Sequence, residues 1–161
     1  MDVWLLRHAA AEDRAASGRD EDRALTPEGL RRAEAVARGL AALEPGIARV
    51  VTSPYRRARQ TAQAAASALG LPGEIAQSRA LEPERDPEEI LLEITRGEAD
   101  ALLVGHQPHL GALLGMLIAG RGVEIAMKKA SVARVTIEGR WSGTLRAYLP
   151  PRILEALAAK K

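Results

Sequence analysis

The sequence predicts an α/β fold, a three-layer α/β/α sandwich with a mostly parallel central sheet. Short apolar runs rich in Val, Leu and Ile alternate along the chain with longer segments whose apolar residues recur at helical spacing. Three of the helical segments also begin with a Thr-Pro, Ser-Pro or Asp-Pro pair, which is typical of a helix N-terminus. The 161 residues, of which 47% are hydrophobic, suit a single domain over 1–161.

The first half of the chain predicts two strand–helix units. The first strand stops at Arg7, a polar residue of the kind that a buried strand delivers to the edge of a sheet. We expect Thr26 to be the N-cap of the first helix and Ser53 to be the N-cap of the second, with Pro54 as its first residue. In order, the predicted elements are a strand over 3–6, a helix from 27 to about 43, a strand over 47–52 and an Ala-rich helix that ends near 70.

The second half continues the alternation and ends in a hairpin and a helix. Asp86 and Pro87 are expected to start one helix, and Pro108 opens another that Gly120 and Gly122 end. In order, the predicted elements are a short strand over 74–77, a helix from 87, a strand over 101–104, a helix from 108, hairpin strands over 132–137 and 144–149, and a helix after 151.

Composition excludes several classes of protein. There is no cysteine, which removes disulfides, thiolate metal sites and cysteine chemistry and suits a reducing compartment. The net charge of +2 is spread along the chain and does not predict nucleic-acid binding. Residues 1–10 do not form a signal peptide, and no apolar stretch reaches membrane-spanning length. We therefore expect a cytoplasmic protein that binds neither nucleic acid nor membranes. Without Phe, its core must be built from Ala, Leu, Val and Ile in closely packed helices.

Two of the three histidines follow predicted strands. Arg7-His8 comes after the first strand and Gly105-His106 after a later one, so both pairs are expected at the carboxyl edge of the sheet, where ligands usually bind. A neutral imidazole is a competent nucleophile near neutral pH, and a guanidinium binds phosphate oxygens. A histidine beside an arginine therefore suits phosphoryl transfer, although an isolated Arg-His pair also fits an ordinary strand end.

Arg57 lies at the start of the second helix, where free backbone amides and the helix dipole favour an anion. An arginine there would reinforce a phosphate site. The alternative is that Arg57, with Arg56 and Arg59, forms the solvated face of an Ala-rich helix.

His106 and His109 are three residues apart and could share a helix face, so a metal site has to be considered. No HExxH pattern and no cysteine accompanies them, and Pro108 lies where His106 should precede the helix. We expect no bound metal and an exposed His109.

Four motifs occur in a fixed order along the chain. Together they resemble the histidine phosphatase superfamily over positions 3 to about 137, which implies a phosphoglycerate mutase-like fold. The length and the Gly-His-Gln-Pro segment are most similar to the short SixA-type phosphohistidine phosphatases. The motifs are Leu5-Leu6-Arg7-His8, Leu25-Thr26-Pro27-Glu28-Gly29, Ser53-Pro54-Tyr55-Arg56-Arg57-Ala58-Arg59-Gln60-Thr61 and Val104-Gly105-His106-Gln107-Pro108.

The resemblance implies a role for each matching residue. His8 would be the phosphorylated nucleophile, Arg7 and Arg57 would hold phosphate oxygens, and His106 would hydrogen-bond the phosphoryl group. The backbone of Gln107 would add a contact to the substrate. No cofactor is implied. A lysine of the turn at 128–131 could also touch the substrate, the alternative being that both lysines there are solvated.

The chain departs from the superfamily pattern at one position and leaves another open. Many members have glycine after the nucleophile, whereas this chain has Ala9, as SixA-like members often do. The proton donor is usually an acid in the loop after the third strand, and Glu82 is the first choice there. The alternative is that Glu82 is an exposed loop acid in an ion pair.

The leaving group decides between substrates. An alkoxide needs a proton as it departs, whereas the imidazole of phosphohistidine, with a pKa near 6.5, leaves far more readily, so a poor acid site favours phosphohistidine. The chain between Thr61 and His106 carries no long insertion that could form a lid, which suits a side chain presented by a protein. We predict a metal-independent phosphohistidine phosphatase that acts on a phosphorylated protein. The alternatives are a small-molecule phosphomonoesterase, a mutase with a closed pocket, and a catalytically silent phosphate-binding module.

Overall fold

The computed structural model describes residues 1–43, 45–71, 73, 75–97 and 99–160. Within these ranges the central sheet has six strands, namely β1 (Asp2–Arg7), β2 (Arg49–Thr52), β3 (Ile75–Gln77), β4 (Ala101–Gly105), β5 (Val132–Gly139) and β6 (Ser142–Leu149). Their spatial order is β3-β2-β4-β1-β5-β6. The first four are parallel to one another, β5 runs antiparallel to β1, and β6 runs antiparallel to β5. Glu74, the first residue of the predicted third strand, lies outside the described residues.

Helices cover both faces of the sheet. They are α1 (Pro27–Ala41), α2 (Arg56–Ala68), α3 (Pro87–Ile94), α4 (His109–Ala119) and α5 (Pro151–Ala158). Buried side chains of α1, α2 and α5 share one core with one face of the sheet, and those of α3 and α4 share a second core with the other face. This arrangement confirms the predicted α/β/α sandwich with its mostly parallel sheet.

The core on the α1 and α2 side is built from small residues. Ala58, Ala62 and Ala65 of α2 are fully buried. A Cβ atom added to Gly39 of α1 would lie only 1.9 Å from the carbonyl oxygen of Leu154 in α5, so these two helices meet backbone to backbone. Close approach of helices therefore fills the volume that aromatic rings fill in other cores, as the absence of Phe predicts.

Of the three helix starts predicted from a Thr-Pro, Ser-Pro or Asp-Pro pair, two are confirmed. The Thr26 hydroxyl accepts from the amide of Gly29 at 3.0 Å, and the Asp86 carboxylate accepts from the amide of Glu88 at 2.9 Å. The prediction for α2 was wrong, because the helix begins at Arg56 and Tyr55 is its N-cap. Ser53 instead extends the pairing of β2 with β4, since its amide donates to the Val104 carbonyl at 2.9 Å.

The prediction that His109 is exposed was also wrong. It is the first residue of α4 and only 2% exposed. Helix α4 is apolar on nearly all sides, with most of its residues buried, so its first turn is drawn inward with the rest. Burial lowers the pKa of His109 to about 4, and the ring is therefore neutral at neutral pH.

Among the described residues, no helix combines the length and the apolar character needed to cross a bilayer.

Candidate active site

Three neighbouring strands carry the candidate residues to one edge of the sheet. In the parallel ladder, Arg7 of β1 pairs with Gly105 of β4, and Thr52 of β2 pairs with Val104. The next residue along each strand therefore emerges at the same carboxyl edge, and these residues are His8, Ser53 and His106. The His8 amide still donates to the Gly105 carbonyl at 3.0 Å, which ties the first loop to the second.

His8 is neutral and has one unprotonated ring nitrogen. It is 6% exposed, and its Nδ1 lies 2.7 Å from the Ala9 carbonyl oxygen, so Nδ1 is assigned the proton and Nε2 the lone pair. Its pKa is lowered to about 4, mainly by burial and in smaller part by the positive charges of Arg57 and Arg7. An unprotonated Nε2 held in this way can act as a nucleophile at neutral pH.

Arg57 lies directly beside that nitrogen. Its Nε donates to Nε2 of His8 at 3.3 Å, and the residue is 5% exposed. Its Nη1 donates to the backbone carbonyl of Asp20 at 2.8 Å, and its Nη2 to the Asp20 carboxylate at 3.0 Å. The guanidinium carbon also lies 5.1 Å from the centroid of the Tyr55 ring, a cation–π distance. The solvated-face alternative does not apply to Arg57, whereas Arg56 and Arg59 are exposed.

One side chain of α2 joins this helix to the loop after β1. The Thr61 hydroxyl donates to the Arg57 carbonyl at 2.8 Å and accepts from the Ala9 amide at 3.2 Å. Both bonds are buried, so the positions of Arg57 and His8 depend on each other.

His106 lies on another side of His8. The two ring centroids are 5.1 Å apart, and His106 is 1% exposed. Its Nε2 lies 2.8 Å from the Ser53 hydroxyl, which accepts from the Tyr55 amide at 3.3 Å and can therefore donate its own proton to Nε2. With Ser53 as the donor, Nδ1 is assigned the ring proton, and this buried atom has no partner among the described residues. The pKa of His106 is lowered to about 2, mainly by burial and in smaller part by the neighbouring His8 and Arg57.

Arg7 is half-buried, and its side chain is bound by the segment between α4 and β5. Its Nη1 donates to the Met127 carbonyl at 2.6 Å. Gln107 supports that segment through its side chain, which accepts from the Met127 amide at 3.4 Å and donates to the Ile125 carbonyl at 3.2 Å. The contact of the Gln107 backbone with a substrate stays a prediction. Lys129 is exposed and close enough to His8 to lower its pKa, whereas no such effect is found for Lys128.

Glu82 does not join the group formed by His8, Arg57 and His106. It lies on the wall of a neighbouring groove of about 370 Å³, which Tyr55 also lines. One carboxylate oxygen lies 3.1 Å from Nε of Arg79, and the other lies 3.7 Å from Nε of Arg85. The structure thus shows the ion pairs of the alternative, but the Glu82 side chain is only 18% exposed and is not the exposed acid that the alternative assumed. Its role as a proton donor stays a prediction.

Sequence reasoning missed Asp20 and assigned a different role to Ser53. Asp20 belongs to a polar stretch without periodicity, so nothing in the sequence distinguishes it from its acidic neighbours. The only signal for Ser53 was its place in the Ser53-Pro54-Tyr55-Arg56-Arg57 motif. Its Ser-Pro pair is typical of a helix start, so Ser53 was predicted to be an N-cap.

Known proteins resemble this chain in sequence and in structure. Residues 3–82 match the model of the histidine phosphatase superfamily (branch 1). The chain is 38% identical over 138 residues to an uncharacterized protein of Picosynechococcus sp., with 82% of each chain covered. It is 31% identical over 155 residues to the phosphohistidine phosphatase SixA of Escherichia coli, with 94% of each chain covered. A structure of the protein histidine phosphatase SixA complexed with tungstate superimposes with a TM-score of 0.86 at 28% identity, covering 96% of this chain and 99% of that one.

The chain belongs to the histidine phosphatase superfamily, whose phosphoglycerate mutase-like fold it has. Membership and the geometry of the site both support a phosphatase. Within the superfamily, the chain resembles the short SixA-type phosphohistidine phosphatases, as its motifs indicated.

Proposed function

We propose that the protein is a metal-independent phosphohistidine phosphatase and that its reaction passes through a phosphohistidine intermediate on Nε2 of His8. The observation that carries this proposal is the neutral His8 ring, with Nδ1 bonded to the Ala9 carbonyl and Nε2 facing the guanidinium of Arg57. A relative that is 31% identical is a phosphohistidine phosphatase, and a solved SixA structure holds tungstate, a tetrahedral oxyanion like phosphate.

In the first step, Arg57 Nε transfers its hydrogen bond from His8 Nε2 to a phosphoryl oxygen, and the lone pair of Nε2 that is thereby released attacks phosphorus. The phosphorus–nitrogen bond of the substrate breaks, and its electron pair stays on the departing imidazole. When the other nitrogen of that ring is protonated, the leaving group is a neutral imidazole and needs no further proton. The positively charged phosphoimidazolium formed on His8 keeps its Nδ1 proton, which the Ala9 carbonyl accepts at 2.7 Å.

In the second step, water attacks the phosphoryl group on His8. The bond to Nε2 breaks, the electron pair returns to the neutral ring, and the protons of the water leave with the phosphate as dihydrogen phosphate. The guanidinium groups of Arg57 and Arg7 stabilise the charge on the phosphoryl oxygens in both steps. His106 contributes its Nδ1 proton as a donor, because a phosphoryl oxygen would supply the partner that this buried atom lacks among the described residues.

The substrate is proposed to be a phosphorylated histidine side chain of a cytoplasmic protein. In the described part of the chain between Thr61 and His106, the residues form α2, β3, a 3₁₀ helix at Arg79–Leu81, α3 and β4 with short connections. No separate lid element is found within those described residues, which favours a substrate presented by a protein.

A small-molecule phosphomonoesterase is the second candidate. One observation favours it. Glu82 and Tyr55 line the same groove, and the Tyr55 ring lies 5.0 Å from the His106 ring, so Tyr55 connects the groove that holds the Glu82 carboxyl group to the site. An acid there could protonate an alkoxide.

A substrate panel tests the proposal. Phosphate release is measured, with and without a chelator, from a phosphohistidine peptide, from the phosphoserine peptide of the same sequence and from a sugar phosphate. We expect kcat/KM for the phosphohistidine peptide to exceed that for the other two substrates by about 10²-fold or more. Imidazole is the only leaving group of the three that can depart without a proton from the enzyme. Preference for the sugar phosphate, lost in Glu82→Gln, would establish the phosphomonoesterase instead. Vanadate binding without hydrolysis of an activated aryl phosphate would establish a silent phosphate-binding module.

A further inference from the structure

We propose that Asp20 is a positioning residue for Arg57, which orients the guanidinium so that its Nε–H faces the attacking nitrogen of His8. This inference rests on the proposed function of Arg57 and His8. Among the described hydrogen bonds, Asp20 contacts Arg57 and Arg23 and not His8, so it would act through the arginine.

Asp20 is itself held firmly at the edge of the site. It begins a 3₁₀ helix at Asp20–Asp22 in the connection between β1 and α1. The base of this connection is closed by a bridge between Ala11 and Leu25, and the Glu12 amide donates to the Ala24 carbonyl at 2.8 Å. The second oxygen of the Asp20 carboxylate accepts from Nη1 of Arg23 at 2.7 Å. The carboxylate is therefore fixed from two sides before any substrate binds.

The contacts of Asp20 determine which donors of Arg57 remain for a phosphoryl group. A guanidinium has five N–H groups in a rigid plane. Asp20 takes one from Nη1 through its carbonyl and one from Nη2 through its carboxylate. These two bonds fix the plane at its far end, so that the third contact, from Nε to His8, is directed by geometry. One N–H on each Nη atom is left for phosphoryl oxygens.

The negative charge of Asp20 opposes the binding of an anionic substrate, whereas its hydrogen bonds to Arg57 favour catalysis. The carboxylate pairs with a guanidinium whose side chain is 6% exposed, and it lowers the net positive charge of the site. Removal of the carboxylate should therefore leave the affinity for an anion roughly unchanged, whereas the alignment of Arg57 in the transition state should be lost. A positioning role thus predicts a fall in kcat without a matching rise in KM.

Asp22 provides a matched control on the same 3₁₀ helix. Its carboxylate bonds to the Ser17 hydroxyl at 2.7 Å and to Nε of Arg19 at 3.0 Å, both exposed contacts. Replacement of Asp22 removes an acid and an ion pair from the same segment without touching Arg57.

The test compares Asp20→Ala, Asp20→Asn, Asp22→Ala, Arg57→Ala and the double variant Asp20→Ala/Arg57→Ala, with an activated aryl phosphate as substrate and thermal unfolding as the check on folding. We expect kcat to fall about tenfold in Asp20→Ala with KM changed by less than about threefold. Asp20→Asn should recover most of the loss, because its amide oxygen still accepts from Nη2, and Asp22→Ala should match the wild type. In the Arg57→Ala background, Asp20→Ala should cause no further loss.

The same series separates the two claims. Wild-type kcat in Asp20→Ala, or an equal loss from Asp20→Ala with and without Arg57, would overturn the positioning role while the proposed function stands. Wild-type activity in Arg57→Ala would overturn the role of Arg57 in the proposed function, on which this inference rests. If Asp20→Ala fails to fold, Asp20→Asn decides: a loss of kcat as large as that of Arg57→Ala would contradict positioning by a hydrogen-bond acceptor.

Discussion

The guanidinium Nε of Arg57 donates to Nε2 of His8 at 3.3 Å across 49 positions of sequence. The nitrogen that would attack phosphorus therefore lies against the cation that would stabilise the transferred group. Neither residue is exposed by more than 6%, so little solvent competes for this contact. Charge stabilisation of this kind is strongest where water is excluded.

Arg57→Ala should lower kcat/KM for any phosphoryl substrate by about 10²- to 10³-fold, because it removes a charged donor aimed at developing charge. Arg59→Ala is the matched control, since Arg59 is on the same helix and exposed. Steady-state kinetics of both variants give the comparison. Equal losses would mean that general positive charge on α2, not the position of Arg57, matters.

His8 should remain neutral far into the acid range. Burial lowers its pKa to about 4, so the ring is unprotonated above that value and protonated below it. Nitrogen-detected NMR of the imidazole, assigned with His8→Asn, should show no titration of His8 between pH 7 and 5 and protonation near pH 4. A midpoint near 6.5, the value of an exposed histidine, would contradict the proposed environment.

His109 should make the fold sensitive to acid. Its pKa is about 4 in the folded protein and near 6.5 when unfolded, so the unfolded chain binds the extra proton between these values. The free energy of unfolding therefore falls as the pH drops from about 6.5 to about 4, by on the order of 2–3 kcal/mol from this residue. Denaturant titrations at pH 7 and 4.5 should show a smaller fall in His109→Leu than in the wild type. The same fall in both proteins would assign the acid sensitivity to other groups.

Ser53→Ala should impair His106. The hydroxyl donates to Nε2, which keeps the ring proton on Nδ1, and without it the tautomer is no longer fixed. We expect kcat/KM to fall about tenfold, since a His106 ring that no longer always carries its proton on Nδ1 stabilises the phosphoryl group less well. Ser67→Ala, an exposed position on α2, should be unaffected. Activity equal to the wild type in Ser53→Ala would remove the hydroxyl from the mechanism.

Local sequence signals were sufficient to predict the layers and the edge of the sheet that carries the site. Apolar runs and Pro-initiated helices are local features, and the carboxyl ends of parallel strands meet at one edge whatever the side chains are. Contacts between distant segments were not predictable in this way. His109 is buried because α4 as a whole is buried, Ser53 serves His106 because its amide continues the pairing of β2 with β4 past the end of the strand, and Asp20 reaches Arg57 from a stretch without periodicity.

The most direct measurement is the site of phosphorylation on the enzyme. The protein is incubated briefly with a radiolabelled phosphohistidine peptide, quenched in alkali, in which phosphohistidine survives, and mapped by peptide sequencing. We predict label on Nε2 of His8 in the wild type, and none in His8→Ala. Label on another residue, or label that persists in His8→Ala, would contradict the proposed role of His8.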